Sequence, residues 1–449
     1  MSSGPVYASA GKIALPARQE TTAPRERTSM AFIFMCAFYL VYCLRPEDWF
    51  PALAVVPMAK ITAIGAILAF IFGSVKRKRG LRNLPAESFA LLAMIGILML
   101  AALFSPVWKG GALSHTLDFA KVYIVFLLTF LLLTDLSKLR RIIFIQAASV
   151  PAVCVLSLIR GRDLPRLEGA LGGIYSNPND LAFAIVLSLP FCLMFLLSAR
   201  GALKKLLWTA AMLVMVAALF KTASRGGLIT LAVSGTVCLW HFGVKGKRFT
   251  LVVGSAVVVL LFFVFGGNTL RDRMSSIWNS DQDSEQAQVA RASYDERWFT
   301  TRKALEGMER YPILGIGVQN FEVYSTVWHE VHTAYLQIGV EGGVFSLCLY
   351  LFFFGRGFQN LGRLAKRKDL PPKVLLLRGA LHSSLVGFVV GALFSPEAYQ
   401  FFPYFAVAYT SALVAYVREG DRAALSGRVT VPVDAMTAYA GPGRVPVNS

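Results

Sequence analysis

The sequence predicts an all-α integral membrane protein with about twelve transmembrane helices. Of its 449 residues, 55% are hydrophobic and only 16% are charged, and the mean hydropathy is +0.57. A soluble domain would carry about a quarter charged residues. The net charge of +19 would suit a nucleic-acid-binding protein if the chain were soluble. Its basic residues follow membrane topology instead, so no nucleic-acid partner is expected.

Twelve apolar segments are long enough, or nearly so, to cross a bilayer core, which needs about 20 residues per helix. They lie at residues 30–44, 58–75, 87–104, 117–134, 142–159, 180–198, 206–221, 226–243, 249–265, 332–355, 377–395 and 402–417. The polar segments 1–29 and 418–449 are predicted to be tails, the first of them disordered. Residues 30–417 then form one polytopic membrane domain in contact with membrane lipids.

Lys and Arg in the short loops set the predicted orientation. The densest basic loops fall on one side of the twelve-span arrangement, at residues 76–82, 137–141, 200–205, 243–248 and 356–378. The positive-inside rule makes that side cytoplasmic, so both termini are expected in the cytoplasm.

A tight turn is predicted near residue 224, on the opposite side. Residues 206–243 would make a helix of about 57 Å if they were continuous, at about 1.5 Å per residue. That length is roughly two bilayer cores. The chain must therefore turn, and the residues suited to a turn are Ser224, Gly226 and Gly227. Lys221 and Arg225 flank this turn, so we expect both at the outer membrane interface.

A large outer loop, residues 266–331, is predicted between helices 9 and 10, and it is partly helical. An amphipathic helix is indicated by side chains spaced three and four residues apart: Tyr294, Trp298, Thr301, Leu305 and Met308. Pro312 ends this helix.

No metal site or disulfide is expected. The six cysteines lie in apolar segments without CxxC spacing, which indicates buried thiols. His329 and His332 form an "HEVH" pair, but no third ligand has a suitable spacing.

Three stretches carry a family resemblance: "SRGGLITLAV" (224–233), "RWFTTRKALEGMERYPILGIGVQNF" (297–321) and "HTAYLQIGVEGGVFSLCLYL" (332–351). Together they resemble the O-antigen ligase and polymerase superfamily of bacterial membrane proteins, and "YSNPNDLAFA" (175–184) is also similar. The N-terminal "YLVYCLRPEDWFP" (39–51) is similar to a subgroup described as O-glycosylation ligases associated with the exosortase system. One departure is Thr333, where the family usually has Asn after its His.

The resemblance implies a reaction. A glycan on undecaprenyl diphosphate passes to an acceptor hydroxyl on the periplasmic side of the inner membrane. The anomeric centre inverts, and neither metal nor cofactor takes part. The acceptor is a lipid, a protein or another glycan, so ligase and polymerase remain alternatives.

The candidate diphosphate-binding residues are Arg225, Arg297 and, as an auxiliary contact, Lys221. A leaving diphosphate develops negative charge, and arginine binds phosphate oxygens in pairs and stays charged. Arg297 lies 15 residues before Pro312, the spacing that the family shows. The alternatives are an interfacial arginine at 225 and a solvated loop arginine at 297.

The candidate catalytic residue is His332, because a general base must take the acceptor proton and histidine has a suitable pKa. Its alternative role is to begin a helix at the membrane interface. Tyr335 and Gln337 either line the acceptor route or belong to an ordinary helix surface. Asp180 either caps a helix or pairs with one of the arginines.

A transporter or flippase for the same lipid is the alternative from another class. Transporters place charges near the bilayer midplane and show repeat symmetry. Here the candidate cations gather at one face and no repeat is visible. A catalytically inactive assembly partner is disfavoured because Arg225, Arg297 and His332 are retained together.

Overall fold

The computed structural model describes residues 28–73, 79–162, 164, 166–168, 174–175, 177–256, 285–327 and 329–429. Every regular element within these ranges is a helix, which confirms the predicted all-α class. The predicted tails lie mostly outside the described residues, as does the first part of the predicted outer loop. The last helix continues well beyond the predicted end of its span at residue 417.

The described helices follow in chain order. They are α1 (Met30–Leu44), α2 (Pro46–Trp49), α3 (Pro51–Ala54), α4 (Met58–Phe72), α5 (Ala86–Leu103), α6 (Lys109–Leu132), α7 (Leu136–Arg160), α8 (Pro178–Ser198), α9 (Ala202–Thr222), α10 (Arg225–Cys238), α11 (described over 249–256), α12 (Glu285–Arg310), α13 (Phe321–Ser325), α14 (Ala334–Ala365), α15 (Pro372–Gly391) and α16 (Phe401–Val429). A 3-10 turn lies at Leu81–Asn83, and a π-helix extends α10 over Leu239–Val244.

Eight of the described helices are long and apolar enough to cross a bilayer: α5 to α9, α10 with its π-helical extension, α14 and α15. Helices α1 and α4 are apolar but have only 15 residues each. The chain is therefore a multi-pass membrane protein. The total of twelve spans stays a prediction, because most of the ninth predicted span, 249–265, lies outside the described residues.

Helix α8 lies at the centre of the bundle. In the apolar 18-residue stretch of α8, 83% of the residues are buried, compared with 17% in α9 and 33% in α10 with its extension. Helices α9, α10 and α15 all pack on α8. Leu206 and Leu213 of α9 and Ile229 of α10 stay exposed. Apolar side chains on the outside of a spanning bundle face lipid, so the exposed sides of α9 and α10 are the lipid-facing ones.

Helix α14 is broken at Gly343, where the backbone has φ 72° and ψ −179°. The segment that follows α12 occupies the break. The Ile316 amide donates to the Val340 carbonyl and the Gly317 amide to that of Glu341, each at 2.9 Å. On the other side of Gly343, the Val344 amide donates to the Pro312 carbonyl at 2.8 Å. These bonds satisfy backbone groups that the broken helix would otherwise leave unpaired, and they attach α12 to α14.

Gly343→Ala should lower the thermal midpoint of the purified protein. Alanine would adopt a positive φ there and place its Cβ 2.2 Å from the Ile313 carbonyl oxygen, and backbone strain of this kind costs about 1–3 kcal/mol. Gly355→Ala in the same helix is the control, because nothing lies within 4 Å of its Cβ position. Thermal unfolding in detergent checks the prediction, and equal midpoints for the two variants would contradict it.

Candidate functional site

A cleft of about 590 Å³, partly open to solvent, lies where α8 and α10 begin and α15 ends. Its lining comes from Arg166, from Asn179 and Phe183 of α8, from residues 223–227 and Thr230 around the start of α10, from Arg297 of α12, and from Gly391, Phe394 and Ser395. The predicted residues Arg225 and Arg297 therefore face one cavity, although they are 72 positions apart in the sequence.

The turn between α9 and α10 confirms the predicted reversal and the place of Ser224 in it, but the two predicted glycines do not form the turn. Ala223 is in the left-handed conformation with φ 50°, and Ser224 caps α10 by accepting from the Gly227 amide at 3.1 Å. Gly226 and Gly227 lie inside the helix. A Cβ on Gly226 would come 2.7 Å from Phe394, and one on Gly227 would come 2.8 Å from Ala182. Both glycines thus allow close packing, and neither forms the turn.

The guanidinium groups of Arg225 and Arg297 have no hydrogen-bond or ion-pair partner among the described residues. Arg225 is the first residue of α10, so the helix N-terminus adds partial positive charge beside it. Burial and then the charge of Arg225 lower the pKa of Arg297, which Glu296 partly offsets. Two cations that repel each other at one cavity leave it suited to bind an anion with several oxygens.

Arg166 is a third cleft arginine, which the sequence analysis did not select. It lies between α7 and α8, and its Nε donates to the Thr222 carbonyl at 3.1 Å, next to the α9–α10 turn. In the sequence it was one basic residue among several in a predicted outer loop. Only the packing of that loop against the turn distinguishes it from Arg160 and Arg162.

Three predicted site residues make structural contacts outside the cleft lining. The Lys221 ammonium donates to the carbonyls of Gly161 and Arg162, at 2.8 Å each. The Tyr335 hydroxyl donates to the Val389 carbonyl at 2.8 Å, and the buried Gln337 accepts from the Ala398 amide at 3.3 Å. Lys221 therefore holds the loop after α7, and the other two join α14 to α15 and the segment beyond it.

His332 lies just before α14 and is partly buried. It does not line the cleft, but burial and the charge of Arg297 lower its pKa below the usual 6.5. The imidazole is therefore neutral at pH 7, as a general base must be. The neighbouring His329 contacts Glu296 through Nε2 at 3.0 Å. Thr333, at the position of the family's Asn, precedes α14 without a side-chain cap bond.

Two carboxyl groups lie beside the cleft without pairing with its arginines. Asp180 and Glu397 hydrogen-bond to each other, and Ser395 donates to Glu397 at 3.3 Å. Burial and Asp180 raise the pKa of Glu397 well above its usual range. Asp180 is thus neither an arginine partner nor the cap of α8, since Asn177 caps that helix. Two adjacent carboxyl groups cannot both ionise easily, so their negative charge is reduced.

A nearby acid, Glu330, lies two residues before His332. Burial raises its pKa to about 7, with the charges of Glu322 and Asp180 adding to the effect. Within the described ranges, no three His, Cys, Asp or Glu side chains converge in a way that could hold a metal ion.

Residues 210–351 match the O-Antigen ligase family. Over this domain-sized segment, the chain is similar to the O-antigen ligases. The O-antigen ligases are an enzyme family, and the matched segment contains Arg225, Arg297 and His332. Arg166, Asp180 and Glu397 lie outside it, so the cleft is completed by chain on both sides of the domain. No curated protein matches this chain significantly.

Arg225→Gln should leave the thermal midpoint unchanged or raise it, because the change removes a charge that repels Arg297. The matched control is Arg79→Gln, at a buried arginine that donates to Glu419 at 2.7 Å and to the carbonyls of Phe130 and Leu133. This control should lower the midpoint clearly. Thermal unfolding of both variants is the measurement, and a lowered midpoint for Arg225→Gln would show that its charge is compensated.

Proposed function

We propose that this chain is an inverting, metal-independent glycosyltransferase of the O-antigen ligase type. It transfers a glycan from undecaprenyl diphosphate to an acceptor hydroxyl at the periplasmic face of a bacterial inner membrane. The observation that carries the proposal is the cleft at one end of a spanning bundle, where the guanidinium groups of Arg225 and Arg297 find no partner among the residues that the structure describes. A lipid diphosphate supplies the negative charge that this cleft lacks.

The proposed orientation rests on the basic loops. Helix α9 ends and α10 begins at the cleft, so the other ends of both helices lie across the bundle. Those ends carry the Lys- and Arg-rich loops at residues 200–205 and 243–248, which are typical of the cytoplasmic side. The cleft then faces the periplasm, and both termini lie on the opposite, cytoplasmic side.

In the proposed reaction, the acceptor oxygen attacks the anomeric carbon from the face opposite the diphosphate. The bond between the anomeric carbon and the phosphate oxygen breaks, and its electron pair leaves with undecaprenyl diphosphate. His332 takes the proton of the acceptor hydroxyl. Arg225 and Arg297 stabilise the charge that develops on the leaving group, and Arg166 lies at the same cleft. Lys221 can act as an auxiliary contact for the diphosphate only if its ammonium group gives up its hydrogen bonds to the Gly161 and Arg162 carbonyls.

The acceptor separates the finer alternatives. A ligase uses a lipid or protein hydroxyl, and a polymerase uses the end of another glycan. The similarity of residues 39–51 to exosortase-associated ligases favours the ligase. A flippase for the same lipid is less well supported, because the unpartnered cations gather at one end of the bundle rather than at the bilayer midplane.

Release of undecaprenyl diphosphate from a lipid-linked oligosaccharide tests the proposed chemistry. We expect His332→Ala to reduce release about 10²–10⁴-fold, the usual contribution of a general base. Arg225→Ala and Arg297→Ala should each reduce it about 10²–10³-fold, as expected for a group that stabilises developing charge. EDTA should have no effect on the wild-type rate. Separate reactions would offer lipopolysaccharide core, a peptide or a second glycan as acceptor.

Arg302→Ala is the control for Arg297→Ala, because Arg302 is an exposed arginine of the same helix outside the cleft. Its activity should match wild type. Equal activity in all variants would refute the site assignment. Binding of the donor by wild type without cleavage, followed by its movement across the bilayer, would favour the flippase.

The pH dependence of kcat/KM tests the role of His332 separately. The reaction needs the neutral imidazole, so activity should fall as pH decreases through the pKa of His332. Because that pKa is lowered, the acidic limb should lie below pH 6.5, and it should be absent from the residual activity of His332→Gln. An acidic limb that survives in His332→Gln would assign it to another group, such as Glu330.

A further inference from the structure

Helix α12 buries a face other than the apolar stripe from which the helix was predicted. Thr300 and Ala304 are fully buried, and a Cβ on Gly307 would come 2.7 Å from Val340 of α14. These residues are spaced by four and three, so they form one side of the helix. The helix itself was predicted from a different stripe, and most of that stripe does not pack on the bundle.

Three residues of the predicted stripe are exposed. Tyr294 is 68% exposed, Trp298 62% and Leu305 47%. The separations of four and seven residues align these three side chains along one face of α12. A row of exposed large apolar side chains on a helix outside the membrane spans indicates an interaction surface.

A third face of α12 is charged. Lys303 forms an ion pair with Glu306 at 2.9 Å, and both side chains are substantially exposed. By helical geometry, Asp295 and Phe299 lie on this side, roughly a quarter turn or more away from the row of Tyr294, Trp298 and Leu305. The Lys303–Glu306 ion pair therefore lies away from the apolar row, as expected for a helix that lies in a membrane interface.

The cleft indicates which surface the apolar face meets. Arg225 and the exposed Ile229 are four residues apart on α10, so the cleft opens above a lipid-facing side of a spanning helix. Leu393, next to the cleft residue Phe394, is also exposed. Arg297 reaches the cleft from α12, three residues after Tyr294 and next to Trp298. The apolar face thus borders the open, lipid-facing side of the cleft.

We propose that α12 lies in the interface of the membrane leaflet at the cleft, with Tyr294, Trp298 and Leu305 inserted among the lipids of that leaflet. Tyrosine and tryptophan are the side chains enriched at this depth. Lipid contact itself does not depend on the proposed reaction. The consequence of this contact for catalysis does rest on the proposed function. If the donor is lipid-linked, α12 holds Arg297 at the depth where the diphosphate emerges from the bilayer.

Photo-crosslinking in lipid vesicles tests the contact. A benzophenone amino acid would replace Trp298 or Leu305 on the apolar face, and Phe299 or Glu306 on the charged face. Phe299 is a matched control because it is also an exposed aromatic residue, at 41%. The protein would be reconstituted in vesicles of phosphatidylethanolamine and phosphatidylglycerol, illuminated and analysed by mass spectrometry for phospholipid adducts.

We expect several-fold more phospholipid adduct at positions 298 and 305 than at 299 and 306. Equal labelling at the four positions would overturn the proposal, as would labelling by protein or by added glycan at 298 and 305 instead of lipid. None of these outcomes requires catalytic activity, so they are independent of the proposed function.

A kinetic comparison tests the consequence for the donor. Trp298→Ser should raise the KM for a lipid-linked donor in vesicles several-fold more than it changes kcat, whereas Phe299→Ser should leave both unchanged. Lipid adducts together with an unchanged KM in Trp298→Ser would retain the membrane contact and overturn its role in donor access.

Discussion

The backbone hydrogen bonds between residues 312–317 and the break in α14 determine where the rest of the site lies. Gly343 makes the break possible because its positive φ and missing Cβ admit the Ile313–Leu314 backbone. The attached segment continues directly from α12, whose buried face packs on the same stretch of α14. The position of Arg297 beside the start of α10 therefore depends on the break at Gly343, which is 46 positions away in the sequence.

The positive charge of the cleft persists because three of the acids near it contact other side chains. Asp180 and Glu397 bond to each other, and Glu296 contacts His329. An acid that paired with Arg225 or Arg297 would stabilise the empty protein and compete with an anionic ligand. Unpaired like charges cost stability, and groups of this kind are typical of functional sites. The segment that is similar to the O-antigen ligases contributes two of the arginines and Glu296. The flanking chain contributes Arg166, Asp180 and Glu397.

The bilayer changes how an apolar pattern should be interpreted. In a soluble protein, the spacing of Tyr294, Trp298 and Leu305 would indicate a face packed against a core. On α12 the packed face is made of small residues, Thr300, Ala304 and Gly307, which allow close approach to α14. Large apolar residues are then free to face lipid, since lipid is as favourable for them as a protein interior.

The sequence by itself determined the all-helical membrane class, the reversal near residue 224 and the helix around residues 294–308, and it selected Arg225 and Arg297 as candidates for one site. These follow from apolar length, from helix rise and from local motifs. Tertiary structure decided that Arg166 joins the cleft, that Glu397 bonds to Asp180, and that Lys221, Tyr335 and Gln337 contact backbone groups. It also decided which side of α12 is buried. Each of these depends on contacts between segments distant in the chain, and local periodicity cannot specify which surface a side chain meets.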